Sequence, residues 1–363
     1  MTSEKTLRAA LVGTGSVANS HARAVAAYPR AELIAVADLS LEKAREFAGR
    51  YDIAAAYSDL DEMLAAEHPD VVLICTPPGP HRVQSLAAFA AGAHVIVEKP
   101  PAPSLDELDD MRAGALSADR QLAVVFQQRT GTAAAHVRGL LQSGALGRPL
   151  VAVCQTLWFR DADYFAVPWR GKWETEGGGT TLGHGIHQID LLAHLLGDWS
   201  SVQGRLWRLD RETETEDVST ATIVFEQGVV AQLITSAVSP RETSSIRIDT
   251  QKATITVDHV YGHGHENWRI TPAPGFEAEA DSWAFPDVEE RSDHGPLLRD
   301  VFDALLDGEP LPATADAPAR SLEIVAGIYA SAASDGAVIT PEALAAHPTH
   351  RAGFASPVTD LRR

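Results

Sequence analysis

Cysteine is scarce in this 363-residue chain, long apolar runs are missing, and basic residues form no cluster. The two cysteines, Cys75 and Cys154, lie in strand-like apolar runs and are expected to be reduced core thiols, which excludes a disulfide framework and a cysteine metal site. No stretch approaches the roughly 20 apolar residues of a membrane helix, and Met1 to Lys5 is too short and polar for a signal peptide. A cytoplasmic protein is therefore expected. Asp and Glu (49) outnumber Lys and Arg (30), for a formal charge of -19, which argues against nucleic acid and anionic membranes as partners. There is no internal repeat. What remains, 45% hydrophobic and 22% charged residues, is an ordinary globular composition with length for two domains.

The first of these has a nucleotide-binding grammar. Leu7 to Val12 is a short apolar strand that runs into Gly13-Thr14-Gly15-Ser16-Val17-Ala18 and then an alanine-rich helical pattern. Gly13 permits the tight turn, Gly15 lets backbone approach a pyrophosphate, and Ala18 lets helix and strand pack closely. The helix N-terminus then offers free N–H groups to the phosphates. Glu32 to Ala37 is a second strand ending at Asp38, about twenty residues on, where a carboxylate can bind both ribose hydroxyls and repel a 2′-phosphate. NAD is thus favoured over NADP. A competing role for Asp38 is to cap the helix from Leu41 to Gly49, a task Ser40 can also perform.

Strand and helix signals keep alternating: strands at Ile53 to Tyr57, Val71 to Cys75, Val95 to Val97 and Leu122 to Phe126, with a helix opened by Ser58, another from His81 to Ala91, and a third capped by Ser104 and Glu107. The pattern predicts a doubly wound parallel sheet over residues 1–126. The residues that follow its strands should line one crevice: Thr76-Pro77-Pro78, Glu98-Lys99-Pro100 and Gln127-Gln128-Arg129 among them. Lys99 stands where proline stops a strand, at the sheet's carboxyl end. The plainer alternative is a surface lysine paired with Glu98.

Residues 127–363 read differently. A helix from Thr132 to Ser143 and a long strand from Leu150 to Trp158 precede an irregular aromatic segment with Tyr164, Trp169, Arg170 and Trp173, which suits either stacking on a sugar ring or covering a core. Gly177-Gly178-Gly179 leads into a helical pattern from Thr180 to Leu196 that carries His184, His187 and Asp190 three residues apart. His187 can be a general base oriented by Asp190, the three can be hydrogen-bonded core residues, or, least favoured, they can bind a metal. No metal is expected. Consecutive strands at Val218 to Phe225, Val229 to Ser236, Ser245 to Thr250 and Thr254 to Asp258 predict a large, mainly antiparallel sheet in an α+β domain. His259, His263 and His265 fit a solvated turn, Gly275 to Glu290 an irregular acidic segment, Pro296 to Leu306 and Pro318 to Ala333 two closing helices, and Arg351 to Arg363 a tail.

Taken together, Gly13-x-Gly15-x-x-Ala18, Asp38, Cys75-Thr76-Pro77-Pro78-x-x-His81, Glu98-Lys99-Pro100 and Gly185-Ile186-His187-Gln188-Ile189-Asp190 resemble the Gfo/Idh/MocA oxidoreductase family over nearly the whole chain. The resemblance implies NAD(P)-dependent transfer of a hydride between nicotinamide and a secondary alcohol of a sugar, cyclitol or polyol. It implies Lys99 and His187 as catalytic residues, and His184 and Asp190 are candidates for catalytic support. The cofactor would touch Gly13 to Ala18, Asp38, Thr76, Pro77, His81, Glu98 and Lys99. The substrate would meet Lys99, Arg129, Trp169, Arg170, His184 and His187. An open sheet in the second domain implies a homodimer or homotetramer. One position departs from the family: many members carry an aspartate four residues before the histidine, where this chain has Gly183, so that either Asp190 or His184 takes part of its role, the substrate differs from the usual polyols, or catalysis is weakened. Two other functions are compatible with the motifs: NAD-assisted glycoside cleavage through transient ring oxidation, and a non-catalytic NAD-binding sensor.

Overall fold

The computed structural model describes residues 5–312 and 319–362, so the Met1 to Lys5 segment is covered from Lys5 only and Pro318 falls outside the description. The described chain forms two compact units. Among the described residues the first comprises 5–102, 106–127 and 294–312, and the second 103–105, 128–293 and 319–362.

In the first unit, strands β1 (Leu7–Val12), β2 (Ala31–Ala37), β3 (Ala55–Tyr57), β4 (Val71–Ile74), β5 (His94–Glu98) and β6 (Leu122–Val125) form one parallel sheet in the order β3-β2-β1-β4-β5-β6. Helices α1 (Ala18–Ala27), α2 (Leu41–Arg50), α3 (Leu60–Glu67), α4 (His81–Ala90) and α5 (Leu105–Ser117) supply the crossovers, although residues 103–105 cluster with the second unit. The central strands are continuous apolar runs because helices cover both faces: all four residues of β4 and of β6 are buried. The third helix begins one residue later than Ser58 implied. Asp59 is its N-cap, accepting from the Glu62 N–H at 2.9 Å, because an aspartate with extended backbone reaches the first-turn donors that Ser58 does not. The His294–Asp307 helix also belongs to this unit, a return crossing that a boundary at residue 127 did not include. Its Leu298, Val301, Phe302 and Leu305 join the core formed by β1, α1 and α2.

The second unit is built on an eight-stranded sheet: β7 (Pro149–Phe159), β8 (Trp199–Arg208), β9 (Val218–Phe225), β10 (Val230–Ser236), β11 (Val238–Thr250), β12 (Ala253–Asp258), β13 (Trp268–Pro272) and β14 (Thr359–Asp360). The order is β13-β12-β11-β7-β10-β9-β8-β14, antiparallel except where β10 meets β7 and β14 meets β8. Burial alternates along β7, β9 and β12, as expected of a sheet with one covered face. Among the covering elements are the Ile186–Leu196 helix, buried at all eleven positions, and the Ala319–Ala333 helix. The expected tail is structured: Phe354 and Ser356 are buried, and β14 adds a strand beside β8. The acidic segment contains a 3-10 turn over Glu277–Trp283, anchored by the buried Trp283.

Candidate active site

The first site follows from the turn after β1. Gly13 has φ +89°, and a Cβ there would stand 2.9 Å from the Thr76 nitrogen, so both backbone angle and space demand glycine. At Gly15 a Cβ would meet nothing within 4 Å, leaving bare backbone facing open space. Around these residues lies a cavity of about 460 Å³, lined by Gly13, Thr14, Gly15, Asp38, Leu39, Lys43, Ser58, Asp59, Thr76, Pro77 and Gln84 among others.

At the rim, Asp38 is pinned by its neighbours. One carboxylate oxygen accepts from the Thr14 N–H (2.9 Å) and hydroxyl (2.7 Å), the other from the Ser40 N–H (3.0 Å). Burial works to raise its pKa, but these bonds and the Lys43 charge outweigh that and hold it below the usual carboxylate range, so it is anionic. The competing role is settled by Ser40, whose side chain caps α2. Helix α1 carries no acid in its first turn, leaving its positive end for an anionic ligand. A glycine cradle, a helix N-terminus and a fixed acid beside one cavity are the donor set a dinucleotide requires. Of the predicted contacts, Gly13, Thr14, Gly15, Asp38, Thr76 and Pro77 line it; Ser16, Val17 and Ala18 lead into α1, and His81, Glu98 and Lys99 are not among the lining residues.

Those last three form a second locus. His81 is fully buried, with Nε2 2.9 Å from the Thr76 carbonyl and Nδ1 3.1 Å from that of Pro100, joining the turns after β4 and β5; burial holds its pKa below the ordinary value despite those carbonyls. Lys99 is half-buried, and its peptide bond to Pro100 is cis. The Glu98 carboxylate turns inward: Oε1 lies 2.8 Å from His21 Nε2 and 3.2 Å from His294 Nε2. Burial pushes Glu98 upward, but the two imidazoles prevail and hold it well below the usual range. Burial in turn lowers His21. The three ligand atoms lie within 4.8 Å of one another, and the two separations from Glu98 are those of imidazole N–H groups donating to a carboxylate. Neither histidine was singled out from the sequence, since they sit 77 and 196 residues from Glu98.

In the second unit the expected helix from Thr180 begins as a π-turn over Thr181–Gly185 and becomes α-helical at Ile186. Such a turn widens the helix by about one residue and is frequent at functional sites. Its cause is packing. A Cβ at Gly179 would stand 2.2 Å from the Glu216 carbonyl oxygen, and the buried Glu216 carboxylate accepts from the Thr181 N–H (2.9 Å), the Gly179 N–H (3.2 Å) and the Tyr329 hydroxyl (2.9 Å). Burial raises the Glu216 pKa. His184 and His187, both buried, are thereby set among aromatic rings: Trp158 is 5.0 Å from His184 and 6.2 Å from His187, and Tyr261 is 5.4 Å from both Trp158 and His187. The Tyr164 hydroxyl lies 3.0 Å from His184 Nε2. Arg170 stacks on the Tyr164 and Trp169 rings, at 3.7 and 4.3 Å.

Asp190 and Arg129, from opposite ends of the predicted set, form a buried bidentate ion pair, with Arg129 Nε 2.6 Å from one carboxylate oxygen and a second guanidinium nitrogen on the other; the Ser321 hydroxyl also donates to Asp190. Sequence reading missed Glu176, Glu216, Tyr261 and Tyr329. Glu216 and Tyr329 lie in unremarkable contexts, and only the glycine run that touches them signals a crowded neighbour.

The family model for an oxidoreductase family with an NAD-binding Rossmann fold matches residues 7–126, and a GFO/IDH/MocA C-terminal domain matches 134–256. The chain is similar to a D-glucoside 3-dehydrogenase from Escherichia coli K12, 32% identical over 280 residues, covering 70% of this chain and 78% of that protein. Its fold is similar to the WlbA dehydrogenase of Chromobacterium violaceum, solved with NADH and UDP-GlcNAcA (30% identity, TM-score 0.80, 94% of this chain and 97% of that one). The Bordetella pertussis WlbA dehydrogenase is similar too (28%, TM-score 0.82, 93% and 99%). Among the described residues no helix is long and apolar enough to cross a membrane. The glycine turn, the pinned Asp38 and the histidine-bearing helix are thus parts of a common plan, and this chain belongs to the GFO/IDH/MocA family of NAD-binding oxidoreductases.

Proposed function

We propose that the protein oxidises a secondary alcohol of a sugar, cyclitol or related polyol, using NAD. The observation that carries the substrate class is the setting of His184 and His187: two buried imidazoles among the rings of Trp158, Tyr164 and Tyr261, a surface of apolar faces with polar edges suited to the C–H and O–H faces of a sugar ring. Bound NAD supplies the hydride acceptor. In this reading Gly13, Thr14, Gly15 and Asp38 hold the dinucleotide, His187 takes the proton of the substrate hydroxyl, and Lys99 stabilises the developing alkoxide with a fixed positive charge. Asp190 serves by holding Arg129, and Arg170 and Trp169 contribute to the substrate's sugar-binding surface.

A panel of free sugars, cyclitols and glycosides, each with NAD and NADP, tests this by absorbance of the reduced cofactor. Net NADH formation with at least one free polyol, and preference for NAD, is expected. Glycoside consumption without net NADH would instead establish cleavage through transient oxidation. Lys99→Ala should lower turnover by orders of magnitude while leaving NADH affinity nearly unchanged, and His187→Ala should remove the acid limb of the pH–rate profile; unaltered rates in both would overturn the assignment. The outward residues Val151 and Val230, adjacent in register on β7 and β10 and both exposed, together with Phe159, support self-association through the open sheet face. Light scattering after size exclusion should give the mass of a dimer or tetramer, in keeping with a cytoplasmic homo-oligomer.

A further inference from the structure

Gly183 stands four residues before His187, on the histidine-bearing turn, yet nothing about its backbone requires glycine, since its φ is not in the left-handed region. What occupies its side-chain space is informative. A Cβ at Gly183 would meet one atom within 4 Å, the Glu176 carboxylate oxygen Oε1, at 3.7 Å. Glu176 ends the short Trp173–Glu176 helix, is itself buried, and is aimed by two groups of its own loop: its other oxygen accepts the Gly171 N–H at 2.6 Å, and Oε1 lies 3.6 Å from the Arg170 guanidinium.

Charged groups on the neighbouring elements fall into two sets. Arg170 donates to the Tyr164 hydroxyl, and that hydroxyl is 3.0 Å from His184 Nε2. Arg160 stacks on Trp158 and Tyr164 and pairs with Glu242; on the helix itself, Asp190 is held by Arg129. Glu176 is thus a buried carboxylate delivered from a separate loop into the space beside the histidine turn that glycine leaves open.

We infer that Glu176 is the positioning carboxylate of this site: its Oε1 lies within van der Waals reach of the β-position of Gly183, four residues before His187, and from there it stabilises the protonated form of His187 during alcohol oxidation. The inference rests on His187 being the proton acceptor. A carboxylate in this place favours imidazolium, so its loss should lower the histidine pKa and weaken proton uptake. A purely architectural Glu176 would hold the Arg170–Gly171 turn and leave both unaffected.

Four full-length proteins decide it: wild type, Glu176→Gln, Gly183→Asp and the double variant. The glutamine oxygen can still accept the Gly171 N–H, so Glu176→Gln is expected to fold and to bind NADH as wild type does. Its kcat should fall about ten- to a hundredfold, with the acid limb of the profile moved to lower pH. Gly183→Asp places a second carboxylate against the first and should be nearly inactive. The double variant, with an aspartate carboxylate in the same space and no opposing charge, should recover at least tenfold over either single variant and return the acid limb towards its original pH. A double variant no better than Glu176→Gln, or a Glu176→Gln profile that keeps its shape, overturns the inference. The His187 ring is also titrated by NMR in the cofactor-free proteins, assigned with His187→Gln. An unchanged His187 pKa in Glu176→Gln refutes the role independently of turnover, whereas a pKa lowered in Glu176→Gln together with a wild type that oxidises nothing would place the failure in the proposed function instead.

Discussion

The two ends of the proposed chemistry are built on different principles. The dinucleotide cavity is made chiefly from main chain: Gly13 and Gly15 matter for the side chains they lack, and Asp38 is fixed by residues two and twenty-four positions away. The histidine turn is made from side chains collected across the second unit, from Trp158 to Glu216, Tyr261 and Tyr329. A cradle of backbone leaves a compact, ordered signature; a cluster of side chains leaves scattered residues whose only common property is where the sheet delivers them.

The sharpest way to break the contrast is a methyl group at one glycine of each kind. Gly179→Ala drives a Cβ to 2.2 Å from the Glu216 carbonyl oxygen, and backbone cannot yield as a flexible side chain does. A loss of at least about 3 kcal/mol is expected, read as a large fall in the denaturation midpoint. Gly15→Ala meets no protein atom within 4 Å, so stability should stay within about 0.5 kcal/mol while NADH affinity, followed by fluorescence titration, drops. Equal effects on stability would erase the distinction.

Asp190 tests whether the second site depends on buried charge. Asp190→Ala removes the bidentate partner of a guanidinium that is 4% exposed, and breaking such a pair costs about 3–5 kcal/mol. Chemical denaturation should show that loss, and Asp190→Ala/Arg129→Met should regain part of it because the stranded charge is gone. A double variant as unstable as the single one would mean that the remaining loss comes from packing.

Acid should act on both units through histidines kept neutral by burial: His21 and His81 in the first, His194 and His263 in the second, all lowered from the ordinary 6.5 and His194 to about 3. Because the unfolded chain binds these protons first, stability falls as pH drops below about 6.5, by about 1.4 kcal/mol per pH unit for each histidine until its folded value is reached. Glu98, depressed in the fold, adds a loss of the same sign below its unfolded value near 4.5. Glu216, raised, works in the opposite direction, favouring the fold at low pH and losing that contribution as pH rises through its folded value. The denaturation midpoint should therefore decline between pH 7 and 5, and His194→Asn should make the decline shallower.

How much was legible in advance follows the same division. Parallel strands buried on both faces announce themselves as runs such as Val71–Ile74, so six strands and their glycine turn could be placed from local pattern alone. Lys99 and His187 stood out through motifs. Glu98 was visible only as a neighbour of Lys99, because its partners His21 and His294 lie on helices brought together by tertiary packing. The π-turn was invisible for a related reason: apolar spacing from Ile186 onward is helical, and nothing in Thr181–Gly185 records the extra residue that Glu216 and the neighbouring glycines impose. The return of His294–Asp307 to the first unit is likewise a long-range choice, since an amphipathic helix is silent about which core receives it.

The smallest expected effect separates two residues that the sequence left in competition. Ser40 caps α2 by accepting the Lys43 N–H at 3.3 Å, whereas Asp38 accepts from Thr14 and the Ser40 backbone at the cavity's edge. Ser40→Ala keeps its own backbone N–H on Asp38, so it should cost about 1 kcal/mol of stability and leave NAD affinity alone. Asp38→Ala removes a charged acceptor from the nucleotide side: NAD should bind at least about tenfold more weakly, with a smaller loss for NADP, narrowing the preference between them. Isothermal titration of both cofactors against the two variants reads the difference directly. If Ser40→Ala weakened NAD as much as Asp38→Ala does, the turn after β2 would be acting as one unit, and the cradle would share the collective character of the histidine site.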